Sequence, residues 1–200
     1  MFQADGYPRL SASLLRELED ALDSVLQDAS CSGLVFHGTE KCFSGGAEIS
    51  EVGALTGTTA LDFSRRAQLL FERLTESPKP VVAAVSGYCL GGGFDLALAC
   101  HARLATPDAV FGHPGAMLGI ITGWGGTQRL PRLIGRGRAL ETLLTGDTIG
   151  AERGRAIGLV AEVVSPERLV ARALEWAGAL GGCMRQSETS EKADPSLRSG

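Results

Sequence analysis

The chain has no excess of positive charge: 19 Lys and Arg stand against 23 Asp and Glu in 200 residues, a formal net charge of −4. That balance argues against a nucleic-acid partner, although a local basic patch could still hold a phosphorylated small molecule. Long apolar runs are missing as well. The most extended, "PVVAAVSGYCLGGG" from Pro80 to Gly93, is broken by glycine and too short to cross a bilayer. No membrane association is expected. No basic segment followed by an apolar one opens the chain, so a cytoplasmic location without a secretion signal is expected. The 5 cysteines never fall as C-x-x-C, and the 3 histidines, His37, His101 and His113, lie far apart. A metal site is not expected, and the thiols read as reduced and buried.

Two nucleotide-binding loops are also absent. A dinucleotide loop needs G-x-G-x-x-G at the start of a helix; Gly91 and Gly93 fit, but the third position is Leu96. A P-loop needs a lysine after its second glycine, and the nearest approach, "GLVFHGT" from Gly33 to Thr39, has none.

Glycine is what the chain does have, 27 in all. In "GYCLGGGFDLALAC", Gly91, Gly92 and Gly93 precede an apolar helix carrying Asp95. Glycine is costly inside a helix, so the run belongs before the helix or in its first turn. There it lets another molecule approach the backbone, where free N–H groups favour negative charge. "CFSGGAEI" has the same design: strand, glycine turn, helix start with an acid. Two such turns brought together by parallel strands could aim two N–H groups at one oxygen, an oxyanion hole. Two independent tight turns would use glycine equally well.

The rest reads as strands alternating with helices, an α/β domain. Ser11 or Ser13 caps a helix whose apolar residues, from Leu14 to Leu26, recur at helical spacing. "GLVFHG" and "PVVAAVSG" read as buried strands, the latter buried on both faces. Short strands follow near "ARLAT" and "AVFG", then helices ending at Gly135 and Gly146, a strand "GLVAEVV" and a helix from Pro166 to Leu180. One domain is expected over residues 1–180, with a polar, disordered tail over 181–200.

Four segments taken together, "FSGGAEI", "AAVSGYCLGGGFDLALACHARLA", "FGHPGAMLGIITGWGGTQRLPRLIG" and "LLTGDTIGAERGRAIGLVAEVV", resemble the crotonase (enoyl-CoA hydratase/isomerase) superfamily. The resemblance runs in order from Pro8 to Val170. It implies a spiral of ββα units, shortened here at both ends, and an acyl-CoA substrate of the kind met in fatty-acid metabolism, with no further cofactor. It places the enolate-stabilising amides at Ala47 and Gly92 and the acid/base at Asp95. Gly45, Gly46, Glu48 and Ile49 would lie along the CoA moiety. Leu90, Gly91, Pro114, Gly115, Leu118 and Trp124 would complete the substrate site, with Trp124 either lining the acyl pocket or packing under the glycines. The family's assemblies imply a homotrimer or hexamer.

The chain departs from this pattern in two acids. Family hydratases carry one glutamate after the triple glycine and another in the "FGxPE" turn; here these are Asp95 and Gly115. Asp95 is either a catalytic acid/base or a first-turn residue complementing the helix dipole. Thr122 stands where some members place an acid, and reads mainly as a turn residue. His113 lies near the site on the "FGHPG" turn, with packing the plainer role, and His101 reads as structural. Arg129 and Arg132 sit on a helix face where solvation is the plainer role. The expected function is enoyl-CoA isomerase- or hydratase-type chemistry. Alternatives are a silent acyl-CoA-binding or subunit-interaction protein, and a CoA-ester decarboxylase or thioesterase.

Overall fold

The computed structural model describes residues 7–193. Strand β1 (Arg9–Leu10) leads into helix α1 (Ala12–Gln27), then β2 (Leu34–His37), β3 (Cys42–Ser44), β4 (Gly46–Ala47), α2 (Ile49–Gly53) and α3 (Gly57–Thr75). Next come β5 (Val81–Val85), β6 (Tyr88–Leu90), α4 (Gly92–Ala99), β7 (Ala102–Ala105) and β8 (Val110–Gly112). A 3₁₀ turn (Pro114–Leu118) precedes α5 (Gly126–Ile134), α6 (Arg136–Thr145), β9 (Ile149–Gly150) and α7 (Ala151–Ala156). After β10 (Glu162–Val163), a short 3₁₀ turn (Pro166–Arg168) opens α8 (Leu169–Ala193).

The strands sort themselves by position in a repeating unit. The first strands of successive units, β2, β5 and β7, are parallel neighbours in one sheet, with β10 on its edge. The second strands, β3, β6 and β8, are parallel neighbours in another, closed by antiparallel β9. Each ββα unit therefore adds one strand to each sheet, which is the expected spiral.

Alternation along β5 gives each face its own core. Val81, Ala83 and Val85 join Phe71, Phe94 and Phe111. Val82 and Ala84 join Leu104 and the α8 residues Ala173 and Ala177 on the other side. The strand is buried on both faces, as its unbroken apolar run implies. Ser11 caps α1, its hydroxyl accepting the Leu14 N–H at 3.2 Å, and Leu15 and Leu22 carry the helix onto the core. Arg103, almost fully buried on β7, donates to the carbonyls of Ala97, Cys100 and Leu159. This cation at the C-terminus of α4 suits the helix dipole and ties the helix to the turn before β10.

Two readings of the sequence are corrected. The final helix does not stop at Leu180: α8 continues to Ala193, and 194–200 lie outside the described residues. Its polar stretch holds Met, Arg, Gln, Glu and Lys, which all favour helix, and no proline until Pro195. "GLVAEVV" pairs only at Glu162–Val163, because Leu159 and Val160 are drawn into the core from a turn. Among the described residues, no helix is long and apolar enough to cross a membrane.

Candidate active site

The two glycine turns meet. β3 and β6 run parallel, with Cys42 beside Tyr88 and Ser44 beside Cys89, so both chains leave the sheet at the same end. Gly46 (φ +95°) and Gly91 (φ +52°) then sit so close that a Cβ on Gly46 would lie 2.9 Å from the Leu90 carbonyl. Only glycine tolerates both the positive φ and that approach. Around Ala47, the neighbouring N–H groups are engaged: Gly45 on Pro8 O at 2.9 Å, Gly46 on Ser44 Oγ at 3.2 Å and Glu48 on Leu10 O at 3.4 Å. Across the gap, the Gly91 N–H bonds the Gly112 carbonyl at 2.9 Å. Gly92 is the first residue of α4, where N–H groups have no partner within the helix.

A cavity of about 240 Å³ opens where these turns meet. Gly45, Gly46, Ala47, Ile49, Gly91, Gly92, Pro114, Gly115, Leu118 and Trp124 all line it, so most of the expected substrate-site residues converge. Phe63, Ser64, His113, Ile120, Ile121 and Thr122 complete much of the wall. Trp124 is placed at the junction of the two turns. It lines the cavity, and its six-membered ring lies against Gly92 so closely that a Cβ there would overlap it. Phe63 and Phe71 hold the indole, with ring centroids 5.3 and 5.9 Å away.

Three expected residues are placed elsewhere. Glu48 does not line the cavity; its carboxylate caps α2, accepting from the Ser50 N–H (3.3 Å) and hydroxyl (3.0 Å). Leu90 contributes backbone rather than a wall, its carbonyl lying against Gly46. Asp95 is 1 % exposed and stands behind the wall, not in it. Asp95 lies one turn further into α4 than Gly92, the residue that touches the cavity, and its carboxyl lies against Gly126 at the start of α5.

Behind the wall, Asp95 has specific company. The Thr122 hydroxyl donates to its Oδ2, in a very short contact. Oδ1 lies 3.4 Å from Nε2 of His113, and neither atom has a hydrogen-bond partner among the described residues. Burial pushes the Asp95 carboxyl up to about 7, against the pull of the Thr122 hydroxyl, the Arg129 charge and the Trp124 and Gly126 amides. Burial also pushes His113 down to about 4. Gly126 makes the cluster possible, since a Cβ there would overlap Asp95 Oδ1 and come within 2.9 Å of His113 Nε2.

The remaining candidates are structural. His101 Nδ1 accepts the Val81 N–H at 3.0 Å. Arg129 is not a solvated face residue: it donates to the Trp124 carbonyl at 3.0 Å and to Thr75 Oγ1 at 3.3 Å, fixing the Trp124 turn. Arg132 bonds Gln128 O within its own helix. Among the described residues, no group of three or more His, Cys, Asp or Glu is placed to hold a metal ion.

Known proteins share this sequence and fold. A sequence model described as enoyl-CoA hydratase/isomerase matches residues 8–191. A probable enoyl-CoA hydratase of Bacillus subtilis is 43 % identical over 152 residues, covering 76 % of this chain and 59 % of that protein. A crotonyl-CoA hydratase of Syntrophomonas wolfei is 42 % identical over 170 residues, covering 84 % of this chain and 65 % of its own length. The chain thus spans about three-fifths of these relatives (59 and 65 %). The crystal structure of enoyl-CoA hydratase from Bacillus anthracis superposes with a TM-score of 0.82 at 38 % identity, over 88 % of this chain and 68 % of that one. With paired glycine turns on parallel strands, a ββα spiral and these matches in agreement, the chain belongs to the enoyl-CoA hydratase/isomerase family of the crotonase superfamily.

Proposed function

We propose that this protein binds an acyl-CoA thioester in the cavity between the glycine turns and stabilises its enolate, in hydratase- or isomerase-type chemistry. One observation carries the reading: two backbone turns converge on one cavity that has a buried carboxyl behind its wall. The thioester oxygen would take the N–H groups of Ala47 and Gly92. Charge gathers on that oxygen in the transition state, where preorganised donors at a helix start act most strongly. Losing one such donor typically costs about 10²–10³ in kcat. Asp95 would exchange the proton, with the Thr122 hydroxyl between it and the cavity. The apolar residues Ile49, Leu118, Ile120 and Ile121 would receive the acyl chain. The reaction so drawn uses no cofactor beyond the coenzyme A of the substrate.

A panel of saturated and enoyl-CoAs incubated in heavy water and followed by mass tests this. Deuterium uptake at the α-carbon, or gain of water, is expected. Neither binding nor exchange with any thioester would overturn it. The screened position of Asp95 and the absent acid at Gly115 favour a second reading, a silent acyl-CoA-binding protein, which would bind the panel without any exchange. We also propose self-assembly as a trimer or hexamer, supported by the exposed Leu61, Leu69, Leu140 and Leu144 on α3 and α6. Sedimentation of a monomer at working concentration would refute it. The buried thiols of Cys89 and Cys100, in no disulfide among the described residues, support the proposal of a reducing, cytoplasmic compartment.

A further inference from the structure

We propose that His113 is the second acid/base group of this site, supplying from the adjacent turn what position 115 lacks. The inference rests on the acyl-CoA reading above and extends it to water addition. Strand register places the group: β6 and β8 pair Leu90 with Gly112, so His113 emerges beside Gly91, at the rim of the proposed oxyanion hole. His113 is among the residues lining the cavity, and its ring packs on Phe94 with centroids 5.0 Å apart. On its inner side, Nε2 faces Asp95 Oδ1 at 3.4 Å.

A packing role leaves this pair unexplained. Neither His113 Nε2 nor Asp95 Oδ1 closes a hydrogen bond of ordinary geometry, although the Trp124 and Gly126 amides act on the carboxyl, and each lies on a side chain exposed by 5 % or less, an arrangement that is costly. A proton on Nε2 would face Oδ1 across this 3.4 Å gap, and a small closure of it would make the bond. With Nε2 carrying that proton toward Oδ1, Nδ1 keeps its lone pair for the cavity, because the partner of one ring nitrogen fixes the state of the other. Asp95 on α4 and Arg129 on α5 are the charged groups acting on this cluster, and the cavity wall itself holds no Asp, Glu, Lys or Arg among the described residues.

The step balances without any other reactant. A water oxygen bonds the β-carbon of an enoyl thioester while one of its O–H bonds breaks, and His113 takes that proton. The π electrons pass to the thioester oxygen as the enolate, then form the new C–H bond at the α-carbon. Its proton comes from the Thr122 hydroxyl while Asp95, carrying its acid proton on Oδ2 for this step, passes that proton to the Thr122 oxygen along the contact in which the ionised carboxylate instead accepts. The imidazolium then gives its Nδ1 proton to water in the cavity, and the Asp95 carboxylate regains one from water through the Thr122 hydroxyl, so both groups return to their starting states. The carboxylate charge that appears during the step lies where it best supports the imidazolium.

The test uses crotonyl-CoA hydration by the whole protein, with His113→Gln and His113→Ala. A positioned acid/base typically contributes about 10²–10⁴-fold, so both variants should lose about a hundredfold or more in kcat with KM within about threefold. His113→Gln should also lose the acid limb of the pH–rate profile, since no base remains to be protonated. Added imidazole should restore part of the activity of His113→Ala but none of His113→Gln. Hydration within threefold of the parent in His113→Gln would overturn the proposal. So would a loss with an unchanged pH profile and no rescue, which marks a merely structural side chain. If the parent protein binds acyl-CoA and exchanges α-protons but adds no water, this inference fails while the acyl-CoA reading stands. If it binds no thioester, both fail.

Discussion

At the scale of single residues, Asp95 and His113 are driven by burial in opposite directions, and that has a measurable consequence. The Asp95 carboxyl is raised to about 7, so its contribution to stability is complete below about 3.8 and is lost as pH rises toward 7. His113 is lowered to about 4, so its contribution is present above about 6.5 and is lost as pH falls toward 4. Between pH 4 and 6.5 the two slopes offset each other. Removing either group exposes the other. Urea unfolding of Asp95→Asn should show stability rising with pH across this window, and His113→Gln should show it falling, each by up to about 1.4 kcal/mol per pH unit. Parallel slopes in the two variants would contradict the burial of the pair. Asp95→Asn should also abolish turnover while keeping acyl-CoA affinity within a few-fold, because the amide preserves shape but not the proton.

At the scale of elements, the start of α4 and the turn carrying Trp124 are fitted to each other. A Cβ on Gly92 would overlap the indole, so Gly92→Ala must displace a ring that Phe63 and Phe71 hold. Such overpacking typically costs about 1–3 kcal/mol. In a Trp124→Ala background the same change should be nearly neutral, a coupling of about 1 kcal/mol or more in a double-mutant cycle of unfolding free energies. Additive effects would mean that the ring yields freely. Gly92→Pro is the complementary change. Its fixed φ suits a first helical position, but it removes the donor N–H, so turnover should vanish even in that background. The 114–118 turn is constrained in another way. A Cβ on Gly115 would lie 2.9 Å from the Ile120 carbonyl, and the Ile120 N–H bonds the Gly115 carbonyl at 2.9 Å. Placing a glutamate there therefore requires the 115–120 segment to move, and restoring a second carboxylate is not a one-residue change.

At the scale of the whole molecule, the spiral is closed on its outer side by α8, whose Leu169, Ala173 and Ala177 cover the face of β5 and β7 that the main core does not. Ala173 is 0 % exposed and sits among Val82, Ala84 and Leu104. Ala173→Asp would place a carboxylate there, and should lower stability by more than about 2 kcal/mol, read as a drop in melting temperature. An unchanged melting temperature would mean that this end of the molecule contributes little to the fold. Trp176 and Arg172 anchor the same helix to β10 through Glu162, at 2.9 and 3.0 Å. The pair around Glu162 is partly exposed and adds orientation more than energy.

What the sequence determined by itself was local. Glycine at 46 and at 91–93, an unbroken β-branched run at 81–85 and a serine before α1 each constrain the backbone within a few residues, and each was legible for that reason. The four segments resembling the crotonase superfamily identified the spiral because they carry those same constraints in order. Strands of two or three residues, such as β1, β3 and β9, are too short to show a period, and only pairing defines them. The far end of α8 was misread because polar composition alone does not separate a tail from a solvated helix. Tertiary structure alone decided what surrounds the acid. Asp95, His113 and Thr122 lie on three segments, Thr122 27 residues beyond Asp95, and no spacing along the chain signals that they meet. Their encounter depends on strand register at Leu90 and Gly112 and on the missing side chain of Gly126, and burial then raises the carboxyl and lowers the imidazole.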